Sequence, residues 1–332
     1  MHKGHEMVRT VFSILFTTLV LTFCLTSGGY AVDISSLRAR AEAGDAVAQY
    51  ELGAQYDAGE AVPQDVAEAE KWYRLAAGNG NDSAQFELGA RYQYGEGSLQ
   101  KDCRQALRWY QLAARQGNAQ AQTNLGFMYH DGECLKKDCR EAVKWFEQAA
   151  RLGNDAAQAN LGILYSNGEC LKKDYRAAHY WLLLAGKQNN AAAQQALGVM
   201  YSQGLGSPQN PAEASRWFRK AAEQGDYLAQ YDLGILYYQG KGVPQDYREA
   251  ARWLQLAAEQ GYDKAQNNLA ALYEKGLGVP QDFVSAYQWW NLAASQGNSE
   301  AKVSRDSIQG RMTPEQVAEG QKRAAGFVKT AE

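Results

Sequence analysis

Few residues in this chain of 332 have the types and spacing that chemistry needs. Besides Cys24 there are four cysteines, Cys103, Cys134, Cys139 and Cys170. In an exported chain an even number of them points to disulfides. No Cys-x-x-Cys is present, so a redox-active pair is not expected. With only His130 and His179 outside the N-terminal stretch, the cysteines have no clustered partners, and no metal site is expected. Ser98-Leu99-Gln100-Lys101 and Ser299-Glu300-Ala301-Lys302 have the Ser-x-x-Lys spacing in which an amine activates a serine for acyl transfer. Neither Ser-Asp-Asn nor Lys-Thr-Gly accompanies them, and about one such match is expected by chance. The glycines recur at fixed intervals and read as helix punctuation, not as a phosphate cradle. No catalytic residue and no cofactor is expected.

The elements that hold these residues follow a period. Tryptophans stand at 72, 109, 145, 181, 217, 253 and 289, at intervals of 36 residues with a single 37. Leu-Gly pairs end at Gly53, Gly89, Gly126, Gly162, Gly198 and Gly234, and Leu269-Ala270 takes their place in the seventh copy. Each copy reads as two helices. In the sixth, Ala229, Leu233, Leu236 and Tyr237 share one face of the first helix. Gly240 ends it as a left-handed cap, and Asp246 caps the second helix. Ala250, Trp253, Ala257 and Ala258 make the second helix's apolar stripe, and Gly261 closes it. Asn189 replaces that last glycine in the fourth copy. A glycine within a helix costs ~1 kcal/mol relative to alanine. Six of them at one position imply close packing on a neighbouring helix, and Ala270 implies a looser contact in the last copy. The fold class is all-α.

Hydrophobic residues are 45% and charged residues 21%, which fits a globular chain and excludes disorder or a multi-span membrane protein. A net charge of −3 gives no electrostatic footprint for nucleic acid. Residues 1–31 carry Lys3 and Arg9, an apolar run from Val11 to Leu25, and then Ser27-Gly28-Gly29-Tyr30-Ala31. That is the order of a secretory signal peptide, with cleavage expected after Ala31. The run falls short of the roughly 20 residues of a membrane span. Acylation at Cys24 is the competing reading, and the bulky Phe23 before it argues against it.

The pattern Ala-x-x-x-Leu-Gly-x-x-Tyr-x-x-Gly-x-Gly-Val-x-x-Asp, then Ala-x-x-Trp-x-x-x-Ala-Ala-x-x-Gly, resembles the Sel-1-like repeat family, relatives of the tetratricopeptide repeats. Seven copies cover 46–297. The resemblance implies a right-handed α/α superhelical solenoid of helix-turn-helix repeats. Residues 32–45 would form an N-terminal capping helix and 298–332 the C-terminal capping helices, the last starting at Thr313-Pro314-Glu315-Gln316 with capping-box spacing. Such ends keep a solenoid soluble.

Cys103 and Cys139 both follow the turn aspartate, and Cys134 and Cys170 both replace the second glycine of Gly-x-Gly. Both pairs are 31 residues apart, so one geometry translated by one repeat serves Cys103–Cys134 and Cys139–Cys170. Pairing equivalent positions would span about 8–10 Å between packed helices, whereas bridged Cα atoms lie under about 7 Å apart.

If the stack resembles tetratricopeptide arrays, the first helix of each copy lines a concave surface. The side opposite its core then carries Asn124, Asn160 and Asn268, whose amides would grip an extended peptide. Phe127, Ile163 and Ile235 beside them would receive its side chains. His130, Tyr231 and Tyr238 lie at the ends of this stripe and vary most between copies. The competing reading is that these residues brace neighbouring repeats. The expected function is an exported scaffold, periplasmic or secreted, that binds protein or peptide partners and has no membrane span in its mature form. Two alternatives stand beside it. Cysteine-rich members of the family are associated with penicillin binding or β-lactamase activity. A basic ridge of Lys101, Arg104, Lys136, Lys137, Arg140, Lys172, Lys173 and Arg176 would suit an anionic glycan, although interleaved acids favour a solvated edge.

Overall fold

The computed structural model describes residues 33–331, which hold seventeen helices and no strand. The expected signal peptide, 1–31, lies outside the described residues. Helix α1 (Ile34–Glu42) comes first. Seven helix pairs follow: α2 (Ala46–Ala58) with α3 (Val66–Gly78), α4 (Asp82–Tyr94) with α5 (Cys103–Arg115), α6 (Ala119–Asp131) with α7 (Cys139–Arg151), α8 (Asp155–Asn167) with α9 (Tyr175–Lys187), α10 (Ala191–Gln203) with α11 (Pro211–Glu223), α12 (Tyr227–Gln239) with α13 (Tyr247–Glu259), and α14 (Asp263–Lys275) with α15 (Phe283–Ser295). Helices α16 (Ser299–Gln309) and α17 (Pro314–Ala331) close the chain. The chain divides after Leu152 into two compact units, α1–α7 and α8–α17. Within each unit the helices up to α16 pack each on its successor, which is α/α solenoid architecture, and α17 folds back onto α15.

Local chemistry sets the helix ends. The second helices start at side-chain caps, Asp65, Asp102, Asp138, Asp174, Asn210, Asp246 and Asp282, each accepting from a backbone N–H of the first turn. The first helices end on left-handed glycines such as Gly132 and Gly240, as the sequence pattern predicts. Asn189, at φ 69°, fills the same role at the end of the fourth repeat. Thr313 and Gln316 make the expected reciprocal capping box, Gln316 N to Thr313 Oγ1 at 3.3 Å and Thr313 N to Gln316 Oε1 at 2.9 Å.

The Leu-Gly position explains the close helix packing. A Cβ on Gly198 would lie 2.4 Å from the ring of Phe218, and one on Gly126 would lie 2.6 Å from that of Phe146. Each ring belongs to the residue after the repeat tryptophan and lies flat on bare backbone. In the seventh repeat Ala270 is fully buried and the corresponding residue is Trp290. The leucines before these glycines, Leu52, Leu88, Leu125, Leu161, Leu197, Leu233 and Leu269, are all fully buried. Each such burial contributes roughly 1.5–3 kcal/mol. No helix among the described residues is long and apolar enough to cross a membrane.

Candidate functional site

Cys103, Cys134, Cys139 and Cys170 are all disulfide-bonded, and Cys103 pairs with Cys134 across a Cα–Cα distance of 5.1 Å. The repeat geometry accounts for this bridge. Where the second glycine of Gly-x-Gly is retained, it touches the first residue of the preceding repeat's second helix. A Cβ on Gly206 would meet the Tyr175 carbonyl at 2.1 Å, and one on Gly278 would meet that of Tyr247 at 2.0 Å. Cys134 and Cys103 occupy these two places. Cys134 keeps the left-handed backbone of the glycine it replaces, at φ 66°, and Cys170 keeps it at φ 62°.

The two Ser-x-x-Lys matches do not assemble a nucleophile and its base. Ser98 donates from both its backbone N–H and its hydroxyl to the buried Glu70 carboxylate, while Lys101 pairs with Glu133 at 3.0 Å. The serine and the lysine thus have separate partners. Ser299 and Lys302 are exposed on the first turn of α16.

All nine residues of the expected partner stripe are half-buried. They flank the core and do not lie opposite it. The Phe127 ring meets Phe146 edge-on at 5.2 Å. Ile163 packs on the core of the fourth and fifth repeats, and Ile235, Tyr231 and Tyr238 pack on that of the sixth and seventh. The physical reason is that a helix in a layered stack is contacted from both sides, so residues next to the core face the adjoining repeat as well. The three asparagines spend Nδ2 internally: Asn124 on Tyr110 Oη at 3.0 Å, Asn160 on the Ala156 carbonyl at 2.8 Å, and Asn268 on Tyr231 Oη at 3.5 Å. His130 Nδ1 lies 2.6 Å from Asp131 Oδ1.

Two features of the first helices escape the sequence reading. One is the glutamine after the leading alanine, repeated in all seven copies and buried in each. Gln85 Nε2, for example, donates to the Ala77 carbonyl at 3.1 Å while Gln85 Oε1 accepts from Gln116 at 2.8 Å. Its recurrence was the available signal. The other is Arg91, which replaces the core Met or Leu of later copies and is 5% exposed. It pairs with Asp57 at 2.6 Å and Glu87 at 3.2 Å and stacks over Tyr73 at 5.2 Å. Burial raises the Glu87 carboxyl above the usual carboxylate range despite Arg91.

The sixth repeat has a different arrangement. Tyr231 and Tyr262 meet edge-on at 5.2 Å, and Tyr227 lies 5.3 Å from Tyr262. Beside them, burial pushes the Asp232 carboxyl up to about 6, against a long 3.5 Å hydrogen bond from Gln195 Nε2. On the basic ridge, Lys136, Lys137 and Arg140 line an open recess of about 660 Å³ next to Tyr129 and Asp138.

Stacked helix pairs with a repeating cap, a repeating glycine contact and a repeating glutamine define an α/α repeat scaffold. The Sel1 repeat model matches residues 46–81, 82–118, 119–154, 155–190, 191–226, 228–262 and 263–298, and the chain belongs to the Sel1 repeat family. Among solved structures it is similar to a protective antigen present in uropathogenic Escherichia coli strains that displays an SLR fold. Identity there is 38% and TM-score 0.78, over 89% of this chain and 64% of that one. It is also similar to a Sel1 repeat protein from Oxalobacter formigenes, at 36% identity and TM-score 0.66, over 82% of this chain and 79% of that one. The chain therefore spans 64% of the antigen's length. No curated protein matches it.

Proposed function

We propose that this protein is an exported scaffold that binds protein or peptide partners along the half-buried stripe of its first helices. Sel1 repeat proteins are protein-interaction modules, and a repeated scaffold offers the same face many times in register. The observation that carries the reading is the row made by Asn124 and Phe127 in the third repeat, Asn160 and Ile163 in the fourth, Ile235 in the sixth and Asn268 in the seventh, each half-buried. Each asparagine commits Nδ2 internally, which leaves Oδ1 as the acceptor for the backbone N–H of an added strand. Disulfides support an oxidising compartment, periplasmic or extracellular. The likeness to a protective antigen supports exposure outside the cytoplasm.

Cross-linking capture from the native host's envelope and medium tests this, with Asn160→Lys as the control. A protein recovered by the parent chain and lost with the variant is the expected result. Equal recovery by both removes the stripe from the function. The acyl-transfer alternative gains nothing from Ser98 and Lys101, which are held by different carboxylates. Nitrocefin turnover by the pure protein is expected to be absent.

A further inference from the structure

We propose that Asp232, beside the edge-on ring pair of Tyr231 and Tyr262, takes a lysine or arginine side chain of a bound peptide. The inference rests on the peptide-binding reading above and names the chemistry of one of its contacts.

The repeats treat an acid at this position of the first helix in different ways, and in the first repeat it is Glu51, which is exposed to solvent. In the second repeat the position is Glu87, and the chain supplies Arg91 one helical turn on, with Nε 3.2 Å from Glu87 Oε1. In the third, fourth and seventh repeats it is a neutral asparagine, Asn124, Asn160 and Asn268. In the sixth it is Asp232, and the residue one turn on is Leu236, which is buried in the core. A charge is kept where the repeat accepts an amide: Gln195 Nε2 donates to it at 3.5 Å, and no cation among the described residues forms an ion pair with it. The exposed Lys264 acts on it only through space. A half-buried carboxylate without a cation is a costly arrangement that a cation from outside would relieve.

The surroundings select for such a cation. Tyr227 is 39% exposed, and Tyr231 and Tyr262 are half-buried, so their rings are open in part to a ligand. Ring faces attract ammonium and guanidinium groups. Asp226, Asp263 and Glu300 add negative charge nearby. Tyr262 also stands where the other first helices have an Asp or Asn cap, and it makes no side-chain cap bond. A capping function has been replaced by a ring that packs on two tyrosines.

The test is selection of a random dodecapeptide display library on the full chain and on Asp232→Asn. The variant carries the residue found at this position in three repeats, and circular dichroism confirms its fold. Peptides selected on the parent are expected to share lysine or arginine at one fixed position, enriched at least tenfold, and this enrichment disappears on the variant. Peptides enriched on both proteins without a basic position overturn the inference and leave the peptide-binding face standing. A basic position retained on Asp232→Asn overturns it as well. Enrichment on neither protein removes the peptide-binding face and this contact with it.

Discussion

The buried glutamine of each first helix has a clear energetic role, because one copy lacks half of its bonding. Gln49, Gln85, Gln158, Gln194, Gln230 and Gln266 each accept from the residue that ends the repeat's second helix, Asn79, Gln116, Gln188, Gln224, Gln260 and Gln296 respectively. In the third repeat that residue is Leu152, 58% exposed, and Gln122 Oε1 is buried with no donor. Leu152→Gln restores the donor and removes an exposed leucine. It is expected to stabilise by about 1 kcal/mol, seen as a higher urea midpoint. Asp232 gives the opposite kind of prediction. Burial holds its folded pKa near 6, above the ordinary carboxylate value, so the folded state disfavours the charged form. The penalty is therefore present above the folded pKa and fades as pH falls towards the unfolded one. Asp232→Asn should stabilise by about 1–2 kcal/mol at pH 7.5 and by little at pH 4. An equal gain at both pH values would mean that the charge is not the cause.

At the scale of the element, the disulfide Cys103–Cys134 does the work that a glycine contact does in later repeats. Two variants separate the covalent from the conformational part. Cys103→Ser with Cys134→Ser removes the bridge and leaves a side chain at φ 66°, for an expected loss of about 3 kcal/mol. Cys103→Tyr with Cys134→Gly copies the pair found at Tyr175 and Gly206, and should recover about 1 kcal/mol of it by freeing the left-handed backbone. Thermal melts with and without reductant measure both. This register was legible in the sequence, as were the caps and the Leu-Gly contact, because each is a local signal sampled once per repeat. Two things were not legible. Arg91 occupies a core position, and its partner Asp57 is 34 residues away in the previous repeat, so only packing brings them together. The stripe from Asn124 to Asn268 was placed opposite the core because a single helix shows one apolar face. In the stack the same residues also touch the neighbouring repeat, as Asn124 does with Tyr110 of the second repeat.

For the whole molecule, the question a repeat protein must answer is what covers its last apolar face, because each repeat is buried only by its neighbours. At the C-terminal end Tyr287, Trp289, Trp290 and Leu292 of α15 are all buried. Helix α17 supplies much of the cover: Ala324 joins this core, and the Phe327 ring meets Trp289 edge-on at 5.4 Å. Gly320 lets α17 approach, since a Cβ there would lie 2.8 Å from the Tyr287 ring, and Gln321 Nε2 donates to Tyr287 Oη at 3.3 Å. At the other end α1 brings Leu37 and Ala41, with the half-buried Ile34 beside them, to the core that holds Leu52 and Trp72. A chain ended after Gly310 uncovers the aromatic side of α15, a loss of about 3 kcal/mol at the transfer value for two large side chains. Because coupling in a solenoid is between neighbours, amide exchange should quicken in α14 and α15 and stay unchanged in α2 to α5. The truncated chain should also bind a hydrophobic dye and self-associate, whereas Phe327→Ala should show the same exchange pattern at smaller amplitude. Uniformly faster exchange across all helices would show that stability is shared over the whole chain, and would refute local capping by α17.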